Sequence, residues 1–177
     1  MNYLYHMVPD NMKGNVLFPL NELRKKYPEV YKEKIKKYIG RKSVLRIRIP
    51  YLNCLWNDVL HFTAIHSLKF REAIRKTKMK TREKIRWFKI DSCSLDSPKT
   101  IVYLYKNWKY YGNNFTEDNF VKYDPDKLSK YNKLPRKTIT YYKKEIKNNR
   151  TPLLFHHVPH ILHKGTISVK NVEIIEV

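Results

Sequence analysis

The chain has 177 residues, 42% of them hydrophobic and 14% aromatic, which is long enough for one core and too apolar for a disordered tail. Lys and Arg number 37 against 16 Asp and Glu, a formal net charge of +21. No apolar run approaches the roughly 18–20 residues that cross a bilayer as a helix, so no such span is predicted.

The charge points to a polyanionic partner. An AT-rich coding bias favours Lys, Asn, Tyr and Ile, but it favours Asp and Glu too and does not produce the imbalance. A field this positive concentrates polyanions and speeds their association. Nucleic acid is the first expectation, because neutralising phosphates releases counterions. An anionic membrane surface is the second, and an acidic antitoxin or inhibitor protein the third. Met1 to Met7 has neither a basic start nor a small-residue cleavage site, so no signal peptide is predicted. Cys54 and Cys93, the two cysteines, then read as free thiols of a cytoplasmic protein.

In chain order, Tyr3 to Val8 predicts a first strand closed by Pro9-Asp10, with His6 sharing a face with Leu4 and Val8. There His6 is either a functional imidazole or a half-buried one with a single satisfied nitrogen. Leu20, Leu23 and Tyr27 keep helical spacing behind a cap at Asn21, and Pro28 interrupts them. A second helix runs from Glu29 to Ile39 and stops at Gly40, with Val30, Tyr31, Ile35 and Tyr38 inward and Lys32, Lys34, Lys36 and Lys37 outward. That lysine face is either solvated or phosphate-binding. Ser43 to Ile49 gives the clearest strand, with Arg46 and Arg48 on one face for a phosphate or carboxylate. Within the apolar stretch Leu52 to Phe62, Asp58 and His61 are three residues apart. On a helix they would share a face, and the carboxylate could orient the imidazole; the alternative for Asp58 is a buried ion pair or a cap.

Lys69 to Lys89 is the main basic patch, with ten cations against Glu72 and Glu83. A helix is predicted through Lys76, and Thr77 to Glu83 reads as an exposed basic loop that could order on a nucleic acid. Arg71, Arg75, Lys78, Lys80, Arg82, Lys84 and Arg86, with Arg150 further on, are the candidate nucleic-acid contacts. Ile85 to Asp91 predicts a strand, Ser92 to Lys99 a turn and Thr100 to Tyr105 another strand. Trp108, Tyr110, Tyr111, Phe115, Phe120 and Tyr123 then alternate with lysines and asparagines. They either stack unpaired bases or form a small satellite core. Lys137 to Asn148 predicts a helix with Ile139, Tyr142 and Ile146 inward. Strands are predicted at Leu153 to Val158, Thr166 to Val169 and Val172 to Val177. The sum is a single basic α+β domain over residues 1–177, with a mixed or antiparallel sheet flanked by two to four helices.

Four of the seven histidines, His156, His157, His160 and His163, fall in one short stretch. Pro159 opposes a helix through His156 and no cysteine or acid lies nearby, so no metal is expected. Imidazoles titrate near neutrality and can exchange protons without one. His156, His157 and His160, with Asp58 and His61, are therefore the candidate catalytic residues of a metal-independent nuclease. The alternatives are structural or anion-contacting histidines, or a non-catalytic DNA- or RNA-binding protein. With four glycines and no P-loop or dinucleotide fingerprint, a glycine-rich phosphate loop is not expected.

Tyr5-His6-Met7-Val8 on the first strand, Arg46 or Arg48, and the late histidine stretch resemble the nucleic-acid-targeting ADP-ribosyltransferase toxins of toxin–antitoxin and phage-defence systems. The resemblance implies a split sheet, NAD as cofactor, His6 at the nicotinamide-side ribose and Arg46 or Arg48 near the substrate, and it makes NAD-dependent ADP-ribosyl transfer to nucleic acid the first functional expectation, ahead of the nuclease and the non-catalytic binder. The family keeps a catalytic glutamate on a late strand, whereas Pro152-Leu153-Leu154-Phe155 has none and Glu145, Glu173 and Glu176 are the late glutamates.

Overall fold

The computed structural model describes residues 2–80, 83–105 and 115–177. Its order is β1 (Tyr3–Met7), β2 (Val16–Leu17), α1 (Leu20–Lys26), α2 (Pro28–Ile35), β3 (Arg48–Ile49), β4 (Cys54–Leu55), β5 (Val59–Phe62), α3 (Ser67–Thr77), β6 (Arg86–Asp91), β7 (Thr100–Tyr103), β8 (Phe120–Lys122), α4 (Arg136–Lys147), β9 (His160–Lys164), β10 (Ile167–Ser168) and β11 (Glu173–Glu176). The class is α+β, and all the strand pairings described are antiparallel.

Two sheets form the frame, β1–β6–β11 and β5–β9–β7–β8. Alternation along each strand sorts side chains to two faces. Leu4, Phe88 and Ile90 of the first sheet meet Leu60, Phe62, Val102 and Ile161 of the second in one core. The opposite face of the second sheet, through Val59, Ile101, Tyr103 and Leu162, packs against Leu20, Leu23 and Val30 of α1 and α2. The outer face of the first sheet, through Tyr5 and Trp87, packs against Phe70 and Ile74 of α3. One backbone bridge links the sheets: Tyr5 N–H donates to Thr63 O at 2.8 Å and Thr63 N–H to Tyr5 O at 3.1 Å. Beyond it no ladder joins β1 to β5 among the described residues, and the two strands part like a fork.

Several predicted elements hold. α1 ends before Pro28, which itself opens α2 at the first helical position, where its missing N–H costs nothing. A 3-10 turn, Lys36–Tyr38, extends α2 to Gly40, whose φ of +79° is the left-handed conformation glycine adopts freely. α3, β6, β7 and α4 lie where periodicity put them.

Four expectations are corrected. Ser43–Ile49 is not a strand: Lys42–Arg46 is a 3-10 turn and only Arg48–Ile49 pairs, with β4. Its backbone bonds close locally, Val44 N–H on Arg41 O and Ile47 N–H on Val44 O, so no long ladder is open to it. Leu52–Phe62, where Asp58 and His61 would share a face on a helix, is instead two short strands around the turn Trp56–Asp58. Leu153–Val158 is a run of turns, closed by His156 N–H on Leu153 O and Val158 N–H on Phe155 O, with His157 at φ +62°. α4 holds those turns: Thr138 Oγ1 donates to His156 O at 2.9 Å, and the Tyr142 hydroxyl donates to Leu154 O. The strand of that region starts after Pro159, as β9. Finally, Asn21 caps nothing, since Pro19 stands at the N-cap of α1 and the Asn21 amide turns to Asp58. Of the interleaved aromatics, Phe115, Phe120 and Tyr123 are buried and closed to base stacking. Trp108, Tyr110 and Tyr111 lie outside the described residues.

Candidate active site

The fork between β1 and β5 opens into a cleft of about 760 Å³. His6, Met7 and Val8 line one side, Val59, Leu60 and His61 the other. His156 and His160 line it from the late histidine stretch, and Lys34, Lys37, Tyr38 and Arg41 from α2 and its extension. A cleft of this size lies toward the upper end of the roughly 300–1,000 Å³ range of small-molecule sites.

Register brings two histidines together. His61 lies opposite Leu162 on β9, so His160, two residues back, is its diagonal neighbour on the same face. Their ring centroids are 5.8 Å apart, and Trp56 touches both rings, at 4.6 Å from His61 and 5.9 Å from His160. Backbone carbonyls set the tautomers. His61 Nε2–H donates to Trp56 O at 3.0 Å, His160 Nδ1–H to Val158 O at 2.6 Å and His6 Nδ1–H to Met7 O at 2.7 Å. Each neutral ring keeps its other nitrogen as a lone pair: Nδ1 of His61, Nε2 of His160 and Nε2 of His6. Burial holds His6 and His160 down to about pKa 4. Burial and the His160 ring push His61 well below the usual range.

A second histidine group stands beside this pair. The Tyr105 hydroxyl lies 2.6 Å from His156 Nδ1, and the Tyr141 ring packs on His156 at 4.0 Å. Burial and His157 bring His156 down to about 4. Tyr105 and His157 both hold positive φ, +56° and +62°, and their rings are 5.2 Å apart. His157 does not line the cleft; burial and Lys137 lower its pKa.

The cations of the cleft were missed as a set in the sequence. Lys34 lies on α2, Lys37 in the 3-10 turn Lys36–Tyr38 and Arg41 past the break at Ile39 and Gly40, and all three line the cleft. Lys37 is surrounded by protein although solvent still reaches it. Burial, then Lys34 and Arg41, lower its pKa to about 8. Lys37 and Arg41 stand 5.1 and 5.5 Å from the Tyr38 ring centroid, and the Tyr38 hydroxyl donates to Asn57 Oδ1 at 2.7 Å. The only carboxylates lining the cleft among the described residues are Asp10 and Glu33.

Other candidates lie elsewhere. Asp58 accepts from Leu55 N–H at 2.7 Å and from Asn21 Nδ2 at 2.6 Å, bracing the turn whose Trp56 carbonyl holds His61. It does not touch the imidazole directly, and no helix forms on which the two would share a face. Arg46 and Arg48 are exposed outside the cleft, Arg48 donating to Asn53 Oδ1 at 2.7 Å. Arg150 forms a two-pronged pair with Glu145, at 2.7 and 2.9 Å. Glu173 pairs with Lys89 and Glu176 with Lys84. None of these three glutamates lines the cleft. Arg71, Arg75, Lys78 and Lys80 line a shallow basin of about 350 Å³ at the C-terminal end of α3, floored by Ile74 and Met79. Lys84 and Arg86 are exposed nearby in sequence, and Arg82 lies outside the described residues. His66 caps α3, accepting from Leu68 N–H, and His163 is buried against Thr100. No group of three or more metal-ligating side chains occurs among the described residues, and no described helix is long and apolar enough to cross a membrane.

No family model, curated protein or solved structure matches the chain.

Proposed function

We propose that the chain binds a phosphate-bearing nucleotide of a nucleic acid in the fork cleft and cleaves or transfers its phosphodiester by proton exchange through His61 and His160. The observation that carries this is the His61–His160 pair at 5.8 Å, tautomers fixed, facing the same cleft as Lys34, Lys37 and Arg41. Both imidazoles are neutral bases in the free cleft. A phosphate between them stabilises imidazolium and raises their pKa values. One then carries a proton while the other keeps its lone pair, the division of labour that acid–base cleavage requires. The neutral ring takes the proton of the attacking hydroxyl as the new P–O bond forms. The charged ring gives its proton to the departing alkoxide as the old P–O bond breaks, and the two rings have exchanged states. Lys34, Lys37 and Arg41 offset the negative charge that gathers on the phosphoryl oxygens.

A second reading, NAD-dependent ADP-ribosyl transfer to a nucleic acid, is favoured by His6 on the first strand at a fork large enough for a dinucleotide. It ranks lower on electrostatics. Transfer of that kind builds positive charge on the ribose, and this cleft is lined by cations with the late glutamates elsewhere.

Mass spectrometry of short DNA and RNA oligonucleotides, incubated with the protein in EDTA with and without NAD, separates the two. Cleavage products without NAD are expected. A mass gain of one ADP-ribose, only with NAD, would replace the first reading by the second. Intact oligonucleotide in every tube sinks both.

A further inference from the structure

Beside the cations of the cleft stands one polar group without a partner. Asn57 is 2% exposed and lines the cleft. Its Oδ1 accepts the Tyr38 hydroxyl, while its Nδ2 finds no acceptor among the described residues. A buried donor left unpaired costs about 1–3 kcal/mol, so it calls for an explanation. The amide cannot easily turn away. Its neighbour Asp58 pins the turn through Leu55 N–H and Asn21, and the Tyr38 hydroxyl holds one end of the amide.

Tyr38 also sets a scale. Lys37 and Arg41 stand by its ring, and its hydroxyl reaches Asn57, so the cations and the unpaired amide are separated by about the length of one tyrosine side chain. In a nucleotide, a sugar separates the phosphate from the polar edge of the base by a similar reach. Trp56, next to Asn57 in the chain, and Tyr105, against His156 and His160, both line the cleft and offer aromatic faces that suit a flat heterocycle.

We infer that one nucleotide of the strand enters base first, its 5′-phosphate held at Lys37 and Arg41, an acceptor atom of its base taken by Asn57 Nδ2, and its other phosphodiester left to the histidine pair. This rests on the nucleotide reading above and adds an orientation and a specificity-determining residue. A ligand without a base fills only the cationic end. A ligand whose base offers a carbonyl oxygen gains the Asn57 bond and relieves the unpaired donor.

Isothermal titration tests this with two probes, uridine 5′-monophosphate and ribose 5-phosphate. Each is titrated into the wild-type protein and into Asn57→Leu and Asn57→Asp, after thermal melting has shown which variants are folded. Asn57→Asp keeps an acceptor for Tyr38 and replaces the donor, and the negative charge it adds acts on the phosphate of both probes alike. The expected result is that the uridine nucleotide binds about tenfold tighter than ribose 5-phosphate to wild type, and that the advantage is lost in the folded variants. Equal binding of the two probes to wild type overturns the inference and leaves the nucleotide reading standing. So does an advantage that persists in Asn57→Asp. If neither probe binds the wild-type protein, the nucleotide reading itself fails and the inference with it.

Discussion

The fork cleft and the basin at the end of α3 are both lined by cations, yet they are different chemical environments. In the basin the cations are side chains of a surface. Arg71 Nη2 donates to Glu83 O at 2.6 Å, and Arg75, Lys78 and Lys80 are exposed. In the cleft, Lys34 and Arg41 are half-buried, Lys37 is exposed although the protein packed around it and then Lys34 and Arg41 lower its pKa to about 8, and burial holds His6, His156 and His160 near 4. Charge that is desolvated acts strongly on whatever enters, whereas charge in water is screened within about 8–10 Å at physiological salt. The basin is richer in charge along the sequence, and the cleft is where that charge can do chemistry.

The sharpest way to break the comparison is to remove the histidine pair. His61→Ala and His160→Ala should each lower the cleavage rate by about 10²–10⁴-fold, read as initial rates on a labelled oligonucleotide. Arg75→Ala with Lys80→Ala should leave turnover at saturating oligonucleotide unchanged. A basin variant that loses as much turnover as a histidine variant would end the distinction.

Acid should find the cleft as well. The folded pKa values of His6, His156 and His160 lie near 4, below the ordinary 6.5 of an unfolded chain. The unfolded state therefore binds more protons between these values. The stabilisation is complete above about pH 6.5 and is lost as pH falls toward 4. The slope approaches about 1.4 kcal/mol per pH unit for each histidine. Urea unfolding across this window should show it, and His6→Gln with His160→Gln should flatten it. The basin cations do not titrate there, so their replacement should leave the slope unchanged.

Smaller effects sharpen the picture. Asp58→Ala leaves Leu55 N–H and the Asn21 amide without their acceptor and should cost about 1–3 kcal/mol of stability, visible in the melting temperature. Lys37→Ala should weaken ribose 5-phosphate binding about tenfold with little change in melting. Lys78→Gln with Lys80→Gln should weaken oligonucleotide binding only a few-fold, while the slope of log affinity against log salt falls by about two.

Much of the frame was legible. Tyr3–Met7, Ser67–Thr77, Arg86–Asp91 and Arg136–Lys147 form where apolar periodicity and flanking prolines put them, because those signals act within a few residues. His6, His61, His156 and His160 were legible as candidates, since imidazole is rare enough to be noticed. The failures share a cause. Ser43–Ile49 alternates like a strand, but alternation states only that two faces differ, and a strand also needs a neighbour with a free edge. Leu153–Val158 is apolar because Leu154, Phe155 and Val158 pack with Phe70, Ile74 and Trp87 of α3 and β6, and its backbone bonds are made in turns. Lys34 and Lys37 were legible in the outward lysine face, solvated or phosphate-binding, whereas Arg41 joins them only through the turn at Ile39 and Gly40, which helical spacing does not encode.

By itself the sequence determined the excess of positive charge, the α+β class, most helices and strands, and a set of imidazoles. Those properties depend on residue type and on contacts a few positions apart. The tertiary structure alone decided that His61 and His160 become diagonal neighbours, that β1 and β5 part after one bridge, and that Asn57 is left with a donor unpaired. Each depends on strand register and burial, which are set by pairings between residues far apart in the chain, and no local pattern encodes them.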